Sequence, residues 1–224
     1  PYMDQYDQDN LLQAHYATLS AFWESALVHT GYCAILLSAG QQRFFFHDDQ
    51  GPAFRPNPLL VQWLAQEKIS ENSWFVFSQG AKPTLLFHQP DDFWHAATVA
   101  PHQLKDHLTV KVFSDLPALH AALDNHLKQI RESQQEIAQI SEDSPPAAAG
   151  CVINPANLIH ALHFQRACKT EYELAIMRDA SLRGAKGHEA AQRAFSEGAS
   201  EFAIHLAFLE ATGMNEWQLP YGNI

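Results

Sequence analysis

Short apolar runs set apart by turn residues fill the stretch from residue 33 to 113, and beyond residue 155 they give way to helical spacing. This change of period limits the fold more than any other feature. The runs at 33–37, 43–46, 74–77, 84–87 and 110–113 have the length and composition of strands. Gly80-Ala81-Lys82-Pro83 between two of them has hairpin chemistry, so part of the sheet is expected to be antiparallel. Ahead of the runs, Leu12, Tyr16, Leu19, Trp23 and Leu27 recur at three- and four-residue steps. They predict an amphipathic helix opened by Asp9-Asn10 and stopped at Gly31. Helical spacing returns over 116–131 through Leu119, Leu123 and Leu127, and 136–140 can add a strand. The expectation is a mixed α/β sheet with flanking helices.

The second part reads differently. The segment 144–150, Ser-Pro-Pro-Ala-Ala-Ala-Gly, reads as a loop. Asn154-Pro155 has the form of an N-cap followed by Pro at the first helical position, leading through Leu158, Leu162 and Phe164. Thr170-Glu171-Tyr172-Glu173 has capping-box spacing, in which hydroxyl and carboxylate each bond a free backbone N–H of the other residue. Leu174, Met177, Ala180 and Leu182 continue that helix towards Gly198. Ser200 can cap a further helix carrying Phe202, Ile204, Leu206 and Leu209, with a stop at Gly213. The change from strands to helices places a boundary within 150–168, and the division is drawn at 1–160 and 161–224.

Composition excludes several classes. A formal charge of −11 with only 14 Lys and Arg opposes a nucleic-acid or anionic-membrane partner, whose phosphates would be repelled. No apolar run approaches the ~20 residues that cross a bilayer, and the acidic, polar start lacks the pattern of a secretion signal. A cytoplasmic location is expected. Pro1 in place of an initiator Met suggests that the natural chain starts elsewhere. Cys33, Cys151 and Cys168 are odd in number and widely spaced, which fits reduced thiols rather than disulfides or a zinc site.

Residues that could carry chemistry are sparse. His160 and His163 have the helical i, i+3 spacing that a metal pair would use, but no carboxylate partner can be assigned to them, and they read as a mixed helix surface or satisfied packing rather than as ligands. His188-Glu189 begins like a zincin helix, but Gln192 stands where the second His is needed. Nucleophile-elbow, phosphate-loop and dinucleotide-loop patterns are absent from the sequence. Two acidic pairs, Asp48-Asp49 and Asp91-Asp92, follow predicted strands and by themselves read as turn formers. Phe93-Trp94 reads as packing. Composition and spacing stop at an acidic α/β domain followed by helices.

Longer strings go further. Arg166-Ala-Cys-Lys169-Thr170-Glu-Tyr-Glu173-Leu174, with Met177-Arg178-Asp-Ala180, resembles the opening of the catalytic domain of the pita-bread metallopeptidases. Phe46-His-Asp48-Asp49, Phe54-Arg-Pro-Asn57-Pro58, Gln62-Trp63-Leu64 and Pro90-Asp-Asp92-Phe93-Trp94-His95 resemble the first domain of bacterial Xaa-Pro dipeptidases (prolidases) and the related organophosphorus acid anhydrolases. Gly187-His188, Gly198-x-Ser200-Glu201, Ala211-Thr212-Gly213 and Leu219-Pro220-Tyr221-x-Asn223-Ile224 look like the same group. The likeness runs along nearly the whole chain and is weakest at about 130–152.

The resemblance implies a creatinase-like amino-terminal domain and then the opening helices of a pita-bread domain. It implies hydrolysis of the bond between an amino acid and a C-terminal Pro, a tertiary amide that general peptidases handle poorly. Two divalent ions, commonly manganese, would be held by Asp, Asp, His, Glu and Glu that lie downstream of Ile224. No catalytic or metal-binding residue is therefore assigned in this chain, which is expected to be an inactive amino-terminal portion. The group also implies a homodimer in which the first domain of one subunit covers its partner's active site. By motif correspondence Asp49 matches a residue given to the partner's substrate pocket, Trp94 lies in a bordering segment, and Tyr221 matches a pocket wall. Alternatives are an organophosphorus acid anhydrolase on the same scaffold, or a non-catalytic dimerisation or ligand-binding module.

Overall fold

A computed structural model describes residues 5–94, 98–131, 136–142 and 150–222. The chain divides into two compact units, Pro1–Cys168 and Lys169–Ile224.

The first unit is built on a six-stranded sheet of order β4-β3-β2-β1-β5-β6. Its strands are β1 (Tyr32–Ser38), β2 (Trp74–Ser78), β3 (Thr84–His88), β4 (Thr109–Phe113), β5 (Glu136–Ile140) and β6 (Cys151–Ile153). Strand β2 runs antiparallel to both β1 and β3, while β4 is parallel to β3, β5 to β1, and β6 to β5. The sheet is therefore mixed, and the expected hairpin joins β2 to β3, with Gly80 in the left-handed region at φ 69°.

Both faces of the central strands are covered, which is why these strands read as continuous apolar runs. Ile35, Leu37, Phe75, Phe77, Leu85 and Phe87 face one core, where α1 (Gln5–Thr30), α2 (Pro58–Trp63) and α4 (Ala156–Arg166) supply Leu19, Trp23, Leu60, Trp63, Leu158 and Leu162. The alternate residues Ala34, Leu36, Trp74, Val76 and Leu86 face Leu119, Leu123 and Leu127 of α3 (Leu116–Arg131). Trp63 lies 5.2–5.5 Å from Trp23, Phe75 and Phe77 between ring centroids. Tyr16 locks this arrangement, its hydroxyl donating to the Trp63 carbonyl at 2.8 Å where α2 ends. His15 Nε2 lies 3.0 Å from the neighbouring Gln62 carbonyl. Two side chains of α1 thus meet carbonyls at the end of a six-residue helix.

Several local expectations are corrected. Residues 43–46 form no strand: Phe44, Phe45 and Phe46 lie in the open loop between β1 and α2. Apolar composition favours extension there, but no neighbouring strand takes up the backbone groups. Asp9 and Asn10 lie inside α1 rather than ahead of it. Asn154 does not cap α4. It sits at φ 48° and is turned to the end of β5, where its amide nitrogen donates to the Ser141 carbonyl at 2.8 Å and its Oδ1 accepts from the Ser141 N–H at 3.0 Å. Helices α2 and α4 frame the other surprises: α2 is too short to show a period, and β6, just before α4, is a three-residue edge. The loop expected at 144–150 lies, but for Gly150, outside the described residues.

In the second unit the capping box of α5 (Glu171–Ser196) is formed: Thr170 N–H donates to Glu173 Oε2 at 2.8 Å, and Glu173 N–H to Thr170 Oγ1 at 3.3 Å. Ser200 caps α6 (Glu201–Thr212), which ends on Gly213 at φ 64°. The two helices cross closely at Gly187, where a β-carbon would stand 2.6 Å from Thr212 Cγ2 and 2.7 Å from a ring atom of Phe208. Leu182, Phe195 and Phe202 remain largely exposed.

Candidate functional site

The sheet's topology brings three connections to one end. Because β2 is antiparallel to both β1 and β3, the chain leaving β1, the chain entering β2 and the chain leaving β3 meet at the same edge. Short bonds stitch them together. Ala39 N–H donates to the Ser73 carbonyl at 2.9 Å, Asn72 N–H to Gly40 O at 2.9 Å, and His88 N–H to Ser73 Oγ at 3.0 Å. Ser70 Oγ donates to the His88 carbonyl. Gln42 N–H donates to a Glu71 carboxylate oxygen at 2.7 Å.

Between these connections lies an open groove of about 650 Å³. Asp49, Glu71 and Asp92 contribute carboxylates to its lining, and Phe44 and Phe54 contribute apolar surface. Glu71 is partly occupied by Gln42, and Asp92 Oδ1 accepts from the Trp94 N–H at 2.7 Å. Asp49 differs: among the described residues its carboxylate makes no hydrogen bond or ion pair.

The loop carrying Asp49 is closed on itself. Phe45 N–H donates to Gln50 O at 2.8 Å, Asp48 N–H to Phe45 O at 3.1 Å, and Gln50 N–H to Asp48 Oδ1 at 3.0 Å. Gln42 Nε2 donates across the base of the loop to Pro52 O at 2.7 Å. Gly51 passes so close to the Arg43 carbonyl that no side chain could be accommodated.

Of the residues singled out from sequence, Asp49 lines the groove, and Trp94 belongs to the segment whose Pro90, Asp92 and Thr98 line it. Trp94 itself is 82% exposed and meets Phe93 edge to face at 5.1 Å. Tyr221 belongs to the second unit and is exposed. His160 and His163 are exposed on α4. Gln50, Glu71 and Thr98 also line the groove, and no sequence signal pointed to them: each stands alone in a connection, outside any periodic pattern.

Among the described residues no group of three or more His, Cys, Asp or Glu side chains could hold a metal ion. What the groove offers is recognition: carboxylates for a cation, and apolar walls beside them.

Residues 10–164 match the family described as Xaa-Pro dipeptidase, N-terminal domain. The chain belongs to this family. The Xaa-Pro dipeptidase of Stenotrophomonas maltophilia strain R551-3 is 35% identical over 232 aligned positions, which cover 99% of this chain and 48% of that protein. The chain thus spans about half the length of the curated relatives it matches. Two Bacillus anthracis structures share the fold of the Xaa-Pro dipeptidase N-terminal domain seen here. One, assigned as an aminopeptidase P, aligns with a TM-score of 0.53 at 17% identity over 88% of this chain and 52% of its own. The other, an Xaa-Pro dipeptidase, aligns with a TM-score of 0.51 at 15% identity over 88% of this chain and 49% of its own. The creatinase-like α/β fold expected from the sequence is the one observed. No helix among the described residues is long and apolar enough to cross a membrane.

Proposed function

We propose that this chain is the amino-terminal, substrate-recognising portion of an Xaa-Pro dipeptidase that works as a cytoplasmic homodimer. The observation that carries the proposal is sequence likeness to Xaa-Pro dipeptidases along 99% of the chain, at 35% identity. Bond cleavage belongs, in this reading, to residues outside the 224 described by this sequence, together with two divalent ions, commonly manganese.

The contribution of this chain is to bind and orient. Asp49 reaches over the active site of the partner subunit and places its charge near the substrate's ammonium group. An unpaired carboxylate suits that role, because a partner already bonded to it would have to be displaced first. Trp94 borders the same pocket with an indole that is apolar on its faces and has one N–H donor. Tyr221 forms a wall of the small substrate pocket. Closure of such a lid excludes water and strengthens the charge interaction.

Full-length protein supplied with manganese and assayed on dipeptides ending in Pro tests this reading. Cleavage of those dipeptides, with no turnover by the purified 224-residue chain, is the expected result. Turnover of a phosphotriester without dipeptide cleavage would transfer the protein to the anhydrolase reading. Absence of both activities would leave a binding module.

A further inference from the structure

The two acidic residues at the tip of the groove loop are chemically alike and adjacent, yet the structure separates them. Asp48 Oδ1 accepts the N–H of Gln50 at 3.0 Å, which is the two-residue reach of an Asx turn, and its own N–H is held by Phe45 O at 3.1 Å. Asp49 lines the groove, and among the described residues its carboxylate is unbonded. The Asx turn encloses Asp49 between its donor and acceptor residues. Next to it His47 is in the left-handed region at φ 55°, a conformation that needs local support in a residue other than Gly.

We infer that Asp48 is a positioning residue, acting through the hydrogen bond to Gln50 to hold Asp49 towards the groove, and that it does so as an acceptor rather than as a charge. The inference rests on the reading of Asp49 as a substrate contact given above. It predicts opposite chemical requirements at neighbouring positions. An Asx turn needs only a side-chain oxygen two residues from the N–H, which Asn supplies as well as Asp, whereas recognition of an ammonium group needs the negative charge. Without the turn the loop tip samples other conformations, and the ordering cost is met when substrate binds, so KM should move while kcat stays near its unsubstituted value.

The experiment measures KM and kcat for an Xaa-Pro dipeptide in full-length protein carrying Asp48→Asn, Asp48→Ala, Asp48→Ser or Asp49→Asn. Asp48→Asn should keep KM within about twofold of the unsubstituted protein. Asp48→Ala should raise KM about three- to tenfold, the loss of one net hydrogen bond. Asp48→Ser, whose hydroxyl bonds nearby backbone more weakly, should fall between them and preserves the ranking if the Ala variant does not fold. Asp49→Asn should raise KM by at least as much as Asp48→Ala. If Asp48→Asn is as impaired as Asp48→Ala, the charge at 48 acts directly and the inference is overturned. If Asp49→Asn raises KM while Asp48→Ala does not, only the positioning role fails. An unchanged KM in Asp49→Asn removes the substrate contact, and the positioning role with it.

Discussion

Gly51 and Arg43 cross with no space between them: a β-carbon on Gly51 would lie far inside van der Waals contact with the Arg43 carbonyl oxygen and carbon. The strain is purely steric, since Gly51 is not among the residues with positive φ. Gly51→Ala must therefore push the two arms of the loop apart. Overpacking of this kind typically costs about 1–3 kcal/mol. On the function proposed above, the displacement in this exposed loop should appear mainly as a raised KM for an Xaa-Pro dipeptide in full-length protein. A structure of the variant would show the Phe45–Gln50 backbone bond lengthened; an unmoved loop would contradict the account.

A second close crossing fixes the helical unit. Gly187 on α5 packs against Thr212 and Phe208 of α6, with no room for a methyl group. Alanine ordinarily stabilises a helix interior by about 1 kcal/mol relative to glycine. Here the clash should outweigh that gain, so Gly187→Ala is expected to destabilise. Adding Phe208→Leu should recover part of the loss by removing the ring that the methyl meets. Urea unfolding of the single and double variants measures both effects, and a stabilised single variant would show that α6 shifts at little cost.

Two imidazoles should make the fold sensitive to mild acid. Burial holds His107 below the ordinary histidine pKa; nearby Asp106 opposes the shift and Lys82 adds to it. Burial does the same to His126, with Lys111 adding to the effect. The unfolded chain then takes up protons before the folded one, so stability is fully present above the ordinary value of about 6.5 and declines as pH falls through the lowered values. His107 also stacks on Tyr16 at 4.2 Å, the residue that anchors α2. Thermal unfolding followed from pH 7.5 to 5 should show the decline, and His107→Gln with His126→Gln should flatten it. A slope unchanged by the pair of substitutions would assign the decline to other groups.

Much of the architecture is legible because its signals are local. Thr170 and Glu173 satisfy each other within one helical turn, and Gly31 and Gly213 adopt the left-handed conformations that stop α1 and α6. The two-sided burial of β1 is written as an unbroken apolar run. The errors arise where distant groups decide. Phe44–Phe46 have the composition of a strand but no partner to pair with, and Asn154 has the form of a cap but finds Ser141 across the sheet edge. The candidate site shows the same division. Two adjacent aspartates read by themselves as turn formers, and only the resemblance singles out Asp49; which of the two bonds Gln50 and which is left unbonded among the described residues beside the groove depends on a loop crossing that no spacing encodes.

The central position of β1 has a consequence during synthesis. Its parallel neighbour β5 lies far along the chain: Cys33 meets the Glu136 carbonyl across 103 residues. At a ribosomal rate of about 5–20 residues per second, that edge of β1 waits roughly 5–20 s for its partner. During that interval Ala34 to Leu37 present an apolar, unpaired strand edge of the kind that seeds association between nascent chains. Slower translation before residue 136 would lengthen the exposure, making the yield of soluble protein sensitive to codon usage and chaperone supply in a way that the stability of the finished fold is not.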